Sequence, residues 1–330
     1  MITDSLGRQL RYLRVSVTDR CNLRCAYCMP QSGIELLPAD ELLSYEEIAR
    51  LVGVAVSLGV DTVRLTGGEP LVRKDLPHLI RRLRALPGLA DLSLTTNGTL
   101  LAAQAPLLKE AGLQRVNISL DSLDPARYQR LTCGGDLADV LAGIDAALAA
   151  GLGPVKLNAV LFADGSASPS PEEILAFGRL TLARPMHVRF IEWMAGCSPL
   201  SLQGDDAFPP TSADRIQQLL LQLGELAPDP GPPGSGPAHY FRYPGAPGTL
   251  GFITPLSVPF CPACSRLRLT SDGKLRLCLL HQAALDLRTP LRAGVSDAEL
   301  ATLFRQAALL KPAAYPSSPV GQTSMYRIGG

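Results

Sequence analysis

The chain has 330 residues, 46% of them hydrophobic, with 31 basic side chains against 30 acidic ones, a formal net charge of +1. That is enough apolar material for one large domain and a smaller one, while the near-zero charge excludes a broad positive field for a nucleic-acid polymer or an anionic membrane. The opening segment MITDSLGRQLRYLRVSV lacks an apolar run of signal-peptide length, and no stretch reaches the length of a membrane span. A cytoplasmic protein is therefore expected, and in that reducing setting eight cysteines point to metal rather than to disulfides.

In chain order, β-branched runs at 13–17, 60–65, 91–95, 115–120, 155–162 and 187–193 alternate with amphipathic helical patterns at 45–58, 76–86, 100–111, 136–150, 171–182 and 212–223. Ser44 and Glu47 form a capping box that opens the first helix. Six alternating units predict a parallel sheet rolled into an incomplete (β/α) barrel. Thr18, Thr66-Gly67-Gly68-Glu69, Thr95-Thr96-Asn97, Ser119-Leu120-Asp121-Ser122 and Glu192 all follow strand ends. In a parallel barrel those ends share the face that carries the chemistry. The run PDPGPPGSGP reads as a linker, so the chain divides into 1–227, a linker at 228–238, and 239–330. The last part holds short strands, a hairpin turn at Ser271-Asp272-Gly273 and a helix near 296–309.

Cys21, Cys25 and Cys28 stand in CNLRCAYC, just after the first strand. One short loop can place these three thiolates on a single cubane cluster and leave its fourth iron open to a cofactor; a structural zinc site would be closed by a fourth ligand nearby. Cys261, Cys264 and Cys278 repeat the triad with C-x2-C-x13-C spacing. There a zinc site completed by His281 stays open as an alternative. Arg266 and Arg268 alternate on the strand after Cys264, so both point to one face. They fit either a solvated strand face or phosphate oxygens held by guanidinium forks.

The cysteine loop with Tyr27 before its last thiol, followed one β/α unit later by TGGEP, resembles the radical S-adenosylmethionine (SAM) superfamily. The blocks LRVSVTDRCNLRCAYCMP, RLTGGEPLVR, NISLDSL, KLNAV, RFIEWM, GTLGFITPLSVPFCPACSRLRLTSDGKLRLCL and the terminal Gly329-Gly330 resemble one family within it, the GTP 3′,8-cyclases (MoaA) of molybdenum-cofactor biosynthesis. The resemblance implies an incomplete (β/α)6 TIM-like barrel of the radical SAM type, closed by a smaller C-terminal α+β domain. It implies two 4Fe–4S clusters, on Cys21, Cys25 and Cys28 and on Cys261, Cys264 and Cys278. It implies that SAM is cleaved to a 5′-deoxyadenosyl radical, which converts GTP to 3′,8-cyclo-7,8-dihydro-GTP. SAM contacts would come from Tyr27, Gly68, Glu69, Ser119 and Met194. GTP contacts would come from Arg14, Arg64, Thr95, Lys156, Arg266, Leu267 and Arg268. Arg266, Arg268, Gly329 and Gly330 would serve catalysis. Implied partners are a downstream cyclic pyranopterin monophosphate synthase, an electron donor such as flavodoxin or ferredoxin, and a second copy in a homodimer. Cys133 and Cys197 match no cluster position. A peptide-modifying radical SAM enzyme with an auxiliary cluster, and a non-catalytic zinc or iron–sulfur module, remain competing readings.

Overall fold

The computed structural model describes residues 1–29, 34–160, 169–194, 212–234, 236–281 and 283–314. Cys197, Gly329 and Gly330 lie outside them. Strands β1 (Tyr12–Ser16), β2 (Thr62–Thr66), β3 (Asp91–Thr96), β4 (Arg115–Ser119), β5 (Val155–Val160) and β6 (Met186–Ile191) alternate with helices α1 (Tyr45–Ser57), α2 (Leu76–Arg84), α3 (Leu101–Glu110), the pair α4 (Pro125–Thr132) and α5 (Leu137–Ala149), and α6 (Pro171–Ala183). After α7 (Ala213–Leu220) come β7 (Ala227–Asp229), β8 (His239–Arg242), β9 (Thr249–Ile253), β10 (Arg266–Leu269), β11 (Lys274–Arg276), β12 (Ala284–Asp286), α8 (Arg288–Arg292) and α9 (Asp297–Leu309).

The helix starts follow from local chemistry. Ser44 and Glu47 close the predicted capping box on α1, and Ser296 and Glu299 do the same on α9. Asp124, Asp136 and Ser170 cap α4, α5 and α6 with their side chains. Each satisfies a backbone donor that the first turn leaves unpaired, and a cap of this kind contributes about 1 kcal/mol. Helix α4 has eight residues and buries Arg127, Tyr128, Leu131 and Thr132 on one face.

The twelve strands of the described residues form one sheet in the order β12-β11-β10-β1-β2-β3-β4-β5-β6-β9-β8-β7. The eight strands from β10 to β9 in that order run parallel. The six expected units are thus present, but the C-terminal part does not build a sheet of its own. It adds β10 beside β1 and β9 beside β6, because the edges of an open six-stranded sheet present unpaired N–H and C=O groups that another strand can satisfy. The segment expected to be a linker begins as strand, with Pro228 and Asp229 opposite Phe241 and Tyr240. Ser271-Asp272-Gly273 does turn β10 into the antiparallel β11, with Gly273 at a φ of 81°.

Alternation along the strands positions the site. Leu13, Val15, Val63, Leu65, Val116 and Ile118 are fully buried in the core that the helices cover. Burial of each such side chain contributes about 1.5–3 kcal/mol relative to exposure. Alternating with such core residues, on the opposite face, Arg14, Arg64, Thr95, Ser119, Asn158 and Arg189 line a cavity. An ordinary barrel of this kind fills its interior with apolar layers; polar inward positions leave room instead. Among the described residues no helix is long and apolar enough to cross a membrane.

Candidate active site

The cavity measures about 360 Å³ and both cysteine triads open onto it, a size typical of small-molecule sites. Register neighbours put Arg14 beside Arg64 on β2 and beside Arg268 on β10. Three arginines therefore stand side by side on adjacent strands, whose backbones are about 4.8 Å apart along the hydrogen-bonding direction. Arg189 and Arg266 also face the same space. Arg64 donates from Nε to Ser93 Oγ at 3.2 Å and lies over the Tyr12 ring, 5.3 Å from its centroid. Arg189 is aimed by Asn158 Oδ1 at 2.9 Å and Asn117 Oδ1 at 2.7 Å, and Arg266 rests 4.5 Å over the Phe260 ring.

Like charges so arranged repel. Burial, helped by neighbouring guanidinium groups, brings Arg64 and Arg189 down to about 10 and pushes Arg268 well below the ordinary arginine value. Among the described residues, Arg64 Nη2 and Thr95 Oγ1 are buried without a hydrogen-bond partner. Buried donors left in that state cost about 1–3 kcal/mol each. The site is therefore built for a polyanion that meets several forks together.

At the other end of the cavity the TGGEP loop is fastened to the cysteine loop. Gly68 N donates to Thr18 O and Glu69 N to Arg20 O, both at 2.8 Å. A Cβ on Gly68 would fall 2.4 Å from Arg20 O, and one on Gly67 would fall 2.7 Å from Thr18 O. The glycines thus let two backbones meet just before Cys21. Tyr27 packs edge-on against Trp193 at 5.9 Å and donates to Asp121 Oδ2 at 2.5 Å. Asp121 also accepts from Val160 N, and burial raises its carboxyl to about 6. Gly68, Ser119 and Met194 line the same cavity.

Three residues expected at ligands are not among those that line the cavity. Glu69 is buried and turned away from the cavity lining, accepting from Leu71 N, Thr96 Oγ1 and Asn97 N at 3.0, 2.8 and 2.6 Å; burial raises it to about 7. It ties the loop to the end of β3. Leu267 points into the core, as alternation between Arg266 and Arg268 requires. Lys156 lies beneath the lining, its Nζ donating to Pro233 O at 2.8 Å. Conversely Arg189, Tyr12, Asn158 and Trp193 line the cavity although no motif singles them out. The signal for Arg189 was present, since it alternates with Val188 and Phe190 as Arg14 does with Leu13 and Val15.

The donor sets suit iron–sulfur clusters. Cys21 Sγ accepts from Leu23 N at 3.4 Å and from Asn97 Nδ2 at 3.9 Å, the kind of hydrogen bond that tunes a cluster-bound sulfur. Burial raises Cys21, and raises Cys25 well above the ordinary thiol value, so loading iron displaces protons there. Burial also pushes Cys264 up, but Arg266 and Lys311 more than offset it and bring it to about 7. His281 Nε2 faces Ala314 O at 3.3 Å. Among the described residues no three cysteine, histidine or carboxylate side chains converge on a single-ion position; a cubane, whose ligands sit on separate irons, asks for no such convergence. Cys133 is exposed at the end of α4.

A partial parallel barrel with a three-cysteine loop after its first strand and a glycine loop after its second is the build of a radical SAM protein. The Radical SAM superfamily model matches residues 15–165, and the Molybdenum Cofactor Synthesis C model matches residues 186–316. The fold is also that of Streptococcus suis SuiB bound to S-adenosylmethionine, with a TM-score of 0.58 and 16% identity, over 86% of this chain and 64% of that one. The GTP 3′,8-cyclase of Pelotomaculum thermopropionicum is 49% identical over 309 residues, 94% of this chain and 93% of that protein. That of Moorella thermoacetica is 49% identical over 310 residues, 94% of each chain. The chain belongs to the GTP 3′,8-cyclase family.

Proposed function

We propose that this chain converts GTP to 3′,8-cyclo-7,8-dihydro-GTP, the first step of molybdenum-cofactor biosynthesis, using SAM and two 4Fe–4S clusters. The observation that carries the substrate is the row Arg268–Arg14–Arg64, which shares one cavity with both cysteine triads. When bound, the cluster on Cys21, Cys25 and Cys28 supplies the electron that cleaves SAM. Everything else is the work of side chains. Tyr27, Gly68, Ser119 and Met194 hold SAM at the first triad, with Glu69 fixing the loop that carries Gly68. Arg14, Arg64, Arg266 and Arg268 take the triphosphate, Thr95 supplies a hydroxyl, and Leu267 contributes through its backbone. The base is thereby set towards the second cluster, on Cys261, Cys264 and Cys278. Holding two substrates in register in a closed cavity accounts for the larger share of what a protein adds to cofactor chemistry.

The test is an anaerobic reaction of the iron-reconstituted protein with SAM, a reductant and GTP deuterated at the 3′ position. Deuterium in 5′-deoxyadenosine together with a cyclised product is the expected outcome. Deoxyadenosine that forms at the same rate without GTP would transfer the chain to a peptide-modifying reading.

The partners belong to the same proposal. Exposed Arg20 and Arg24 flank Cys21 and Cys25 and offer an acidic one-electron donor such as flavodoxin or ferredoxin a face. The product passes to a cyclic pyranopterin monophosphate synthase, the setting is the reducing cytoplasm, and the assembly is a homodimer. Gly329 and Gly330, outside the described residues, serve catalysis as the resemblance implies.

Lys156 gives the cation cluster a measurable cost. Burial, with Arg189, Arg115 and Arg64 nearby, lowers its ammonium to about 6. At pH 7 the folded apoprotein therefore holds it largely neutral, whereas the unfolded chain holds it charged. Stability is reduced most below pH 6 and recovers as pH rises towards the ordinary lysine value. Lys156→Met should raise the apoprotein's Tm at pH 7, by an amount that shrinks towards pH 10. A Tm gain independent of pH would remove the charge explanation.

A further inference from the structure

We propose that Lys311, with Arg8 beside it, is the positioning residue of the second cluster and sets that cluster's reduction potential. The inference rests on the reading that Cys261, Cys264 and Cys278 carry a cluster. Lys311 follows α9 and is only 4% exposed. Its Nζ donates to Arg266 O at 2.8 Å and to Leu277 O at 2.5 Å. The first carbonyl lies two residues after Cys264 and the second immediately before Cys278, so one ammonium joins the two arms. The third arm is held by Arg8, whose Nη1 donates to Cys261 O at 2.8 Å. Arg8 Nη2 reaches Pro312 O at 2.7 Å, and Nε pairs with the buried carboxylate of Asp4 at 2.5 Å. Two buried cations, from the first residues of the chain and from the segment after the last helix, thus clamp all three cysteine arms.

Neither cation is placed to touch GTP, since neither lines the cavity. No acidic side chain is paired with Lys311 among the described residues. A fixed positive charge beside a cluster stabilises the reduced form, which carries one more electron, and so raises its potential.

The experiment uses the full chain after anaerobic reconstitution, in the Cys25→Ala background so that the second cluster alone titrates. Iron content and an EPR-monitored reductive titration are measured with lysine, arginine, methionine or glutamine at position 311. With methionine or glutamine, the ratio of reduced to oxidised cluster at a fixed potential should fall about tenfold, as for one unit charge removed at roughly 10 Å in a medium of effective dielectric 20. Lys311→Arg should hold the native ratio. If Lys311→Met sheds its iron, Lys311→Gln, which keeps a donor without the charge, decides by the same criterion. An unchanged ratio in a charge-removed variant that retains its cluster overturns the proposal. Absence of any cluster in the Cys25→Ala protein itself would instead sink the reading of the second triad.

Discussion

Replacing Cys25 with alanine should abolish SAM cleavage altogether and reduce the iron of the reconstituted protein from about eight to about four atoms per chain. Cys25 is the middle thiol of its loop, and its carbonyl accepts from Cys28 N at 2.9 Å and Met29 N at 3.1 Å. These backbone bonds do not need the sulfur. The loop is also fixed from α4, where Arg24 N donates to Thr132 O and Ala26 N to Leu131 O. The polypeptide should therefore keep its fold, and the second triad, contributed by other elements, should keep its cluster. Iron analysis, the visible absorption of the cluster and deoxyadenosine formation measure the three parts separately. Retention of eight irons with residual cleavage would mean that the first cluster is not held by this loop.

Arg268→Ala should lower kcat/KM for GTP by about 100-fold, since a hydrogen bond to a charged group contributes about 1.5–3 kcal/mol. The same change should leave the apoprotein no less stable. Arg268 is buried beside Arg14 and Arg266, and their repulsion and its own desolvation disfavour its charge in the folded state. Removing it relieves that repulsion, so ligand binding and stability should move in opposite directions. A residue that served the fold alone would lose both together. Arg268→Lys should restore only part of the rate, because an ammonium lacks the planar fork that engages two phosphate oxygens. Steady-state kinetics at several GTP concentrations and a melting curve of the apoprotein decide it; a fall in Tm matching the fall in kcat/KM would contradict the assignment.

Much of this site was legible because it lies on regular strands. Alternation alone distinguishes Arg14 and Arg64 from Leu13 and Leu65, and it would have found Arg189 by the same rule. It also shows that Leu267 turns away from the cavity while its two neighbours turn in. Glu69 was less legible. Adjacency to Gly68 says nothing about direction, and its carboxylate is taken up by three donors on β3 and the loop around it. The proline- and glycine-rich stretch reads as a linker because composition reports a lack of helix or strand propensity, not a lack of contacts. Its first residues pair with β8, Pro233 O accepts from Lys156, and Gly234 packs against Arg115, where a Cβ would fall 2.7 Å from a guanidinium nitrogen.

The sequence by itself determined the six β/α units, the two cysteine triads and the family, because periodicity, capping and ligand spacing are local properties written into short segments. Only the tertiary structure decided that the C-terminal strands extend the same sheet at both edges. It alone placed three arginines from three distant segments in one register and turned Glu69 and Lys156 away from the cavity. It alone brought Arg8 and Lys311 onto the second triad. Those outcomes depend on strand pairing and on where buried charges find partners, and both are settled only when segments far apart in the chain compete for the same hydrogen bonds.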